Sequence, residues 1–144
     1  MGSLFNSIEI SASGLSAQRT RMNVISANIA NINTTRTEEG GPYRKKEVVF
    51  KAVASSKFDD LLSKSEPVPE KVEVVEIKES RTPFKLIYNP SHPDANEQGY
   101  VQMPNIKLIE EMVDMLSATR AYEANVTVIG TAKSMINKAL EISR

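Results

Sequence analysis

The amino-acid sequence predicts a mostly α protein: two long terminal helices forming an antiparallel coiled coil, with a small β-rich middle segment of short strands and loops. Three observations predict it. Apolar residues recur every seven positions near the N-terminus, and they do so again near the C-terminus. The stretch between is dense in lysine and glutamate and punctuated by prolines, so it cannot bury a large core of its own.

The first series is Met1, Ile8, Leu15, Met22 and Ile29, seven apart. Leu4, Ile25 and Ile32 form a companion seam three residues further on, with Ser11 and Gln18 in its gaps. This predicts a helix over about 3–32. Gly14 inside it costs ~1 kcal/mol relative to alanine, so packing rather than propensity has to hold that turn. Asn33 suits a left-handed cap, and Thr34-Thr35-Arg36-Thr37 continues as extended chain.

Glu38-Glu39-Gly40-Gly41-Pro42 is a turn cluster. Strands are expected over 43–53, over 71–80 with a bulge where Val72 and Val74 step past Glu76 to Ile77, and over 83–90. Residues 55–70 and 90–99, each with two prolines, are expected to be loops. Pro104 suits the first turn of a helix. Leu108, Met115, Tyr122, Ile129 and Ile136 then stand seven apart, with Glu111, Ala118, Asn125, Ala132 and Ala139 as companions. The predicted helix runs over about 104–142, weakly interrupted at Gly130, and its alanine seam allows a close helix pair. At 1.5 Å per residue the two helices extend ~45 Å and ~58 Å. The chain thus divides into an N-terminal helix (1–33), an extended linker with a β-rich outer segment (34–100) and a C-terminal helix (101–144).

Composition narrows the function classes. Eighteen basic and eighteen acidic residues among 144 give zero net charge, so no electrostatic footprint for nucleic acid is present. The absence of cysteine excludes disulfides, thiolate metal sites and cysteine nucleophiles. No apolar run reaches the ~18 residues that span a bilayer, so no membrane span is expected. No basic head precedes a short apolar core, so no cleaved signal peptide is expected. Ser91, His92 and Asp94 stand together, but prolines hold the loop and no nucleophile elbow accompanies them. Asp94-x-Asn96-x-Gln98 imitates the start of a calcium loop, yet its twelfth position is Asn105 rather than a bidentate glutamate. Arg44-Lys45-Lys46 lacks the aromatic interleaving of a nucleic-acid patch and suits strand-end charge that blocks unwanted pairing. The methionines, Met115 among them, suit core and interface filling. No catalytic residue, cofactor or metal is expected.

The segment ANIANINTTRT over 27–37 places asparagine at 28, 31 and 33 inside an apolar helical pattern. On a helix Ile25, Ile29 and Ile32 share one stripe, Ala27 and Ala30 lie roughly opposite, and Asn28 and Asn31 fall between. Two packing faces suggest two partners. Asparagine between them is costly unless bonded and can set register. A two-helix hairpin with solvated asparagines is the other reading.

The stretch SANIANINTTRTEEGGPYRKKEVVF, 26–50, resembles the N-terminal signature of bacterial flagellar rod and hook proteins, and its Thr-Thr-Arg-Thr and Gly-Gly-Pro-Tyr-Arg runs resemble the proximal-rod type. HPDANEQGYVQMPNIKLIEEMVDMLSATRAYEANV, 92–126, and AKSMINKALEI, 132–142, resemble the second signature and tail of the same family. The match is loose over 51–82. The resemblance implies a structural subunit of the flagellar basal-body rod, stacked helically around an export channel, its terminal helices lining a tube and its β-rich part facing outward. It implies export through the flagellar type III gate, a place in the periplasm, and no enzyme activity. Implied partners are other copies, other rod proteins, components of the MS ring and export gate, and distal-rod proteins. Ile25, Asn28, Ile29, Asn31, Ile32, Asn33, Met115, Arg120, Tyr122, Asn125, Ile129 and Ile136 are the expected subunit-interface residues. With the helices antiparallel, position 125 should face about position 12, so Asn28 and Asn125 are expected to need other partners, supplied by neighbouring chains. A helical adaptor, or an export substrate that regulates assembly from outside the tube, is the alternative.

Overall fold

The structure, a computed structural model, describes residues 2–54 and 70–142. Two helices, α1 (Gly2–Ala30) and α2 (Leu108–Ile142), enclose four strands in chain order. These are β1 (Lys46–Ala54), β2 (Glu70–Glu79), β3 (Lys85–Tyr88) and β4 (Tyr100–Met103). β1 pairs antiparallel with β2, and β3 with β4, as two separate ribbons. The fold class is the expected one. Met1 and residues 55–69 of the loop expected over 55–70 lie outside the described residues, and Glu70, its last expected residue, already begins β2.

Both helices are shorter than their apolar periodicity suggests. α1 stops at Ala30, and residues 31–33 form a turn in which Ile32 N–H bonds Ile29 C=O at 3.3 Å and Thr34 N–H bonds Asn31 C=O at 3.1 Å. Asn33 does not adopt the left-handed cap, since only glycines have positive φ among the described residues. At the other helix, Pro104 is buried in the chain leading in, and the first helical bond runs from Glu111 N–H to Lys107 C=O at 3.1 Å. Proline permits a helix start but does not require one. Here Val101, Pro104 and Ile106 turn inward as extended chain and carry packing that a helix would have displaced. β4 was not expected. It forms because Gly99, at φ 79°, reverses the chain so that Leu86 pairs with Gln102 and Tyr88 with Tyr100. The bulge in β2 lies where expected: Val49 opposes Glu76 and Phe50 opposes Val74, which leaves Val75 as the extra residue.

The helices pack antiparallel through small residues. The buried residues of α2 are Glu111, Ala118 and Ala132, all from the companion seam, while Leu108 at the head of the larger-residue seam is exposed. Opposite them on α1 are Ser11, Ala17, Ile25 and Asn28. The closest approach is at Gly14, where a Cβ would stand 3.0 Å from Asn125 Nδ2 and 3.3 Å from its Cγ and Oδ1. Position 125 thus faces position 14, two residues from the expected level. Asn125 is clamped there, because Nδ2 donates to Ala121 C=O at 2.9 Å.

Gly14→Ala sets ~1 kcal/mol of helix propensity against the crowding of a tethered amide. In the native background the substitution should leave stability unchanged or lower it. In an Asn125→Ala background it should raise stability by about 1 kcal/mol. Thermal unfolding followed by circular dichroism checks this; an equal gain in both backgrounds would contradict the close approach.

Candidate functional site

The three asparagines of the opening segment sit where the chain leaves α1, and each does something different. Asn31 Nδ2 donates to Ala27 C=O at 2.8 Å, while its Oδ1 accepts from Thr34 Oγ1 at 3.1 Å, closing off the helix. Asn33 is exposed. Asn28, one turn earlier, points into the protein and is 1% exposed.

The chain after α1 returns to Asn28 by a fixed route. Gly40 and Gly41, at φ 88° and 80°, turn the loop, and Thr37 N–H bonds Gly41 C=O at 2.9 Å. Tyr43 N–H then bonds Thr34 C=O at 3.1 Å. This brings residues 43–46 alongside the last turns of α1. Asn28 Oδ1 accepts from Lys46 N–H at 2.9 Å and from Tyr43 OH at 3.1 Å. Its Nδ2 donates to Lys46 C=O at 2.9 Å and to Glu111 Oε2 at 3.1 Å. One primary amide offers two donor hydrogens and two acceptor lone pairs, and all four are used. It pairs with both backbone groups of Lys46 as a neighbouring strand would, which starts β1 at that residue.

Glu111 completes the junction. It is 1% exposed, and its Oε1 lies 2.6 Å from Lys45 Nζ in an ion pair. Burial pulls the Lys45 ammonium down, but its hydrogen bond and charge interaction with Glu111, with the carboxylates of Glu47 and Asp114 beyond, outweigh this and hold it above its ordinary value. Burial, then the carboxylates of Glu79 and Glu111, push the Tyr43 phenol up. Both shifts preserve the protonated forms that the junction uses. Around it, Arg21 bridges to Asp114 at 3.2 Å, a second tie between the helices. Arg44 stacks 4.3 Å over the Phe84 ring and Lys46 lies 6.0 Å from the Tyr43 ring centre, so the basic triplet folds onto the protein.

Asn28 therefore corrects the sequence reading: its partners come from its own chain. The reading failed because residues 43–46 are far from α2 in sequence and charged, which suggested solvated strand ends. Of the other expected interface residues, Ile25 is buried in the helix pair, and Ile29, Ile32, Met115, Tyr122, Asn125, Ile129 and Ile136 are half-buried along it. Arg120 is exposed. Sequence reasoning placed Glu111 only as a seam member. Its signal was a carboxylate at a position whose heptad relatives are Ala118 and Ala132, a charge in a buried seam. The His92 loop does structural work: Nδ1 accepts from Asp94 N–H at 3.1 Å, and Asp94 accepts from Thr35 Oγ1 at 2.8 Å.

The two ends that meet at this junction match known protein families. Residues 8–36 match the model of the flagella basal body rod protein, and residues 97–142 match the C-terminal model of the flagellar basal body rod FlgEFG proteins. Among curated relatives, the flagellar basal-body rod protein FlgC of Borreliella burgdorferi is 46% identical over 149 residues, covering 96% of this chain and 97% of the relative. FlgC of Bacillus subtilis is 46% identical over 147 residues, covering 97% and 98%. FlgC of Salmonella typhimurium is 39% identical over 141 residues, covering 98% of each. The chain belongs to the FlgC family of flagellar basal-body rod proteins. Asn28 lies in the first matched stretch and Glu111 in the second, while Tyr43, Lys45 and Lys46 lie between them. The junction thus joins the family's two shared segments through a piece of chain that belongs to neither.

Asn28→Leu keeps the bulk and strands the Lys46 N–H, the Tyr43 hydroxyl and one Glu111 oxygen. It should cost about 2–3 kcal/mol in urea unfolding; a change below ~0.5 kcal/mol, typical of a surface site, would contradict the geometry.

The raised Lys45 and Tyr43 values also set a pH dependence. Each group holds its proton more tightly when folded. The contribution is complete below the ordinary values of 10.0 for Tyr43 and 10.5 for Lys45, and is lost as pH climbs through the higher folded-state values. The urea midpoint should fall more steeply above pH 10.0 in the native chain than in a Tyr43→Phe/Lys45→Met variant. Parallel profiles would count against the junction.

Proposed function

We propose that the chain is a structural subunit of the proximal rod, the drive shaft of the flagellar basal body, stacked helically around the export channel and transmitting torque. The observation that carries this reading is the pairing of family membership at both ends with a helix hairpin that leaves much apolar side chain open. Ile109, Met112, Val113 and Leu116 are each more than half exposed, as are Met135 and Leu140. A subunit that works alone gains nothing from such a surface; one that packs among neighbours does. In this reading the two helices form the inner coiled-coil domain, and 34–100 forms the linker and outer segment. Ile29, Ile32, Arg120, Tyr122, Asn125, Ile129 and Ile136 contribute to contacts between subunits from their half-buried or open positions. The partners are further copies, other rod proteins, the MS ring or export gate at one end and distal-rod proteins at the other. The chain performs no catalysis. It reaches the periplasm through the flagellar type III apparatus without a cleaved signal, a route suited by only four charged residues, Glu9, Arg19, Arg21 and Arg36, in the first 36.

The test scores secretion and assembly separately. Deleting residues 2–30 from a plasmid copy in a flagellated strain lacking the gene should abolish both secretion and swimming. Arg120→Glu, at an exposed position outside the helix pair, should leave secretion intact and cut rod assembly and swimming at least several-fold. Secretion that survives the deletion would overturn the export reading. Basal bodies purified without the native chain would overturn the rod reading.

A further inference from the structure

Two glycines lie inside the long helices, and a packing partner explains only one of them. Gly14 of α1 faces the clamped Asn125 amide, where a Cβ would be crowded. Gly130 lies in the helical run of α2, and a Cβ built on it would meet nothing within 4 Å. Alanine fits there without a clash, so α2 gives up helix stability at that position for no contact among the described residues. Its surroundings are poor helix formers too: Val126-Thr127-Val128-Ile129-Gly130-Thr131 is β-branched at every position but the glycine. Three exposed hydroxyls then compete for the same stretch of backbone. Thr127 Oγ1 donates to Glu123 C=O and Thr131 Oγ1 to Thr127 C=O, each at 2.9 Å, and Ser134 Oγ donates to Gly130 C=O at 3.1 Å. Each carbonyl is also the acceptor for the helical N–H four residues on, and such sharing loosens and bends a helix. Upstream, Thr119 and Asn125 make the same kind of bond, but both are packed against α1, beside Met22 and Gly14.

We propose that α2 carries a built-in joint centred on Gly130, about which the open end of the hairpin, residues 2–8 with 131–142, bends relative to the rest. The joint goes beyond the rod reading and does not depend on it. Its place in the fold supports it. The Asn28–Glu111 bond fixes the far end of the hairpin, and the Arg21–Asp114 bridge ties the helices further along. Lys71 pairs with Glu9, and Val72 N–H bonds Ser13 Oγ at 3.2 Å, so the β1–β2 ribbon grips α1 over residues 9–13. With position 14 facing position 125 in an antiparallel pair, Glu9 stands level with Gly130. The joint therefore lies at the edge of the part that the ribbon braces. Past that level Ala132 is still buried, but Leu4, Ser7, Thr131 and Met135 line an open groove of about 280 Å³ between the helices. That space lets the helices shift without driving close-packed side chains into one another. A bend of this kind needs only a few residues that absorb small backbone changes. In an assembly it lets the end of the hairpin meet neighbouring chains at more than one angle.

The absence of native cysteine allows spin labels to be placed in chosen pairs. Glu76→Cys on β2 is combined with Lys138→Cys beyond the joint, or with Glu123→Cys before it, all three at exposed positions. Label separations are measured by double electron–electron resonance on the purified full chain. A bend of ~20° carried over the ~12 Å from residue 130 to residue 138 moves a label by about 4 Å. The expected result is a distance distribution for 76–138 that is about 4 Å wider than that for 76–123, with most of the excess removed by Gly130→Ala. Asn137→Ala raises helix propensity beyond the joint and should leave the width unchanged. Equal widths, or an excess that Gly130→Ala does not remove, would overturn the joint. Narrowing by Asn137→Ala to the same extent would overturn it as well, since the end would then be fraying and not bending. Each of these outcomes leaves the rod reading standing.

Discussion

Asn28 gives up every hydrogen-bonding position of its amide to three residues on two segments that are remote in sequence, and the rest of the molecule is arranged around that fact. Its Oδ1 and Nδ2 bracket the backbone of Lys46, its Nδ2 reaches Glu111 on α2, and the Tyr43 hydroxyl caps it from the returning loop. Removing water from such a group is tolerable only if each bond is replaced, and this is done in full. At 1% exposure the Glu111 carboxylate has exchanged water for protein partners, and Lys45 Nζ at 2.6 Å is its counter-charge. The junction is thus an all-or-nothing arrangement: helix hairpin, loop and first strand register on one another together.

A second constraint follows from how the helices meet. The fully buried part of the seam is mostly small, with Ala17, Ala118, Ala132, Ser11 and the Gly14–Asn125 contact beside Ile25, so the pair is close but thin. Small side chains bury little area, and the hairpin gains correspondingly little from the hydrophobic effect. The larger residues, Ile109, Met112, Val113, Leu116 and Ile142 among them, are left facing out. A thin seam inside and large apolar groups outside are what a subunit of a packed assembly needs, since much of its burial is completed by neighbours. Polar bonds at the junction then supply the definition of shape that a larger core would supply in a free-standing domain.

Much of this was legible in the sequence, and the misses share a cause. Heptad spacing located both helices, the alanine companion seam identified the buried face of α2, and the step from Val74 to Ile77 marked the bulge at Val75. These are periodic signals within one element. What the sequence concealed was long-range and polar. Asn28 was recognisable as costly, but its partners at Tyr43, Lys46 and Glu111 were not, because charged residues at 44–46 resemble a solvated strand end. β4 depends on the reversal at Gly99 and on pairing with β3, a tertiary event with no period of its own. The helix ends slipped for a like reason: Pro104 and Ile106 pack inward as extended chain, and Asn31 closes α1 through its own side chain.

In a rod subunit this arrangement has a mechanical consequence. The stretch from Tyr43 to Lys46 ties the β ribbons to the helices beside the Val72 N–H to Ser13 Oγ bond at 3.2 Å and the Lys71–Glu9 ion pair, and the Asn28 amide holds that stretch against α1. The Lys46 amide hydrogen reports on it directly, since it bonds to Asn28 Oδ1 at 2.9 Å. Hydrogen–deuterium exchange at that amide, compared between the native chain and Glu111→Gln, tests the account at its centre. The variant keeps the shape of the side chain and removes the charge that orders Asn28 and Lys45. Strong protection of Lys46 in the native chain, with a loss of at least tenfold in the variant while amides in the middle of α2 stay protected, is the predicted result. An unprotected Lys46 amide in the native chain, or protection unchanged by Glu111→Gln, would contradict it.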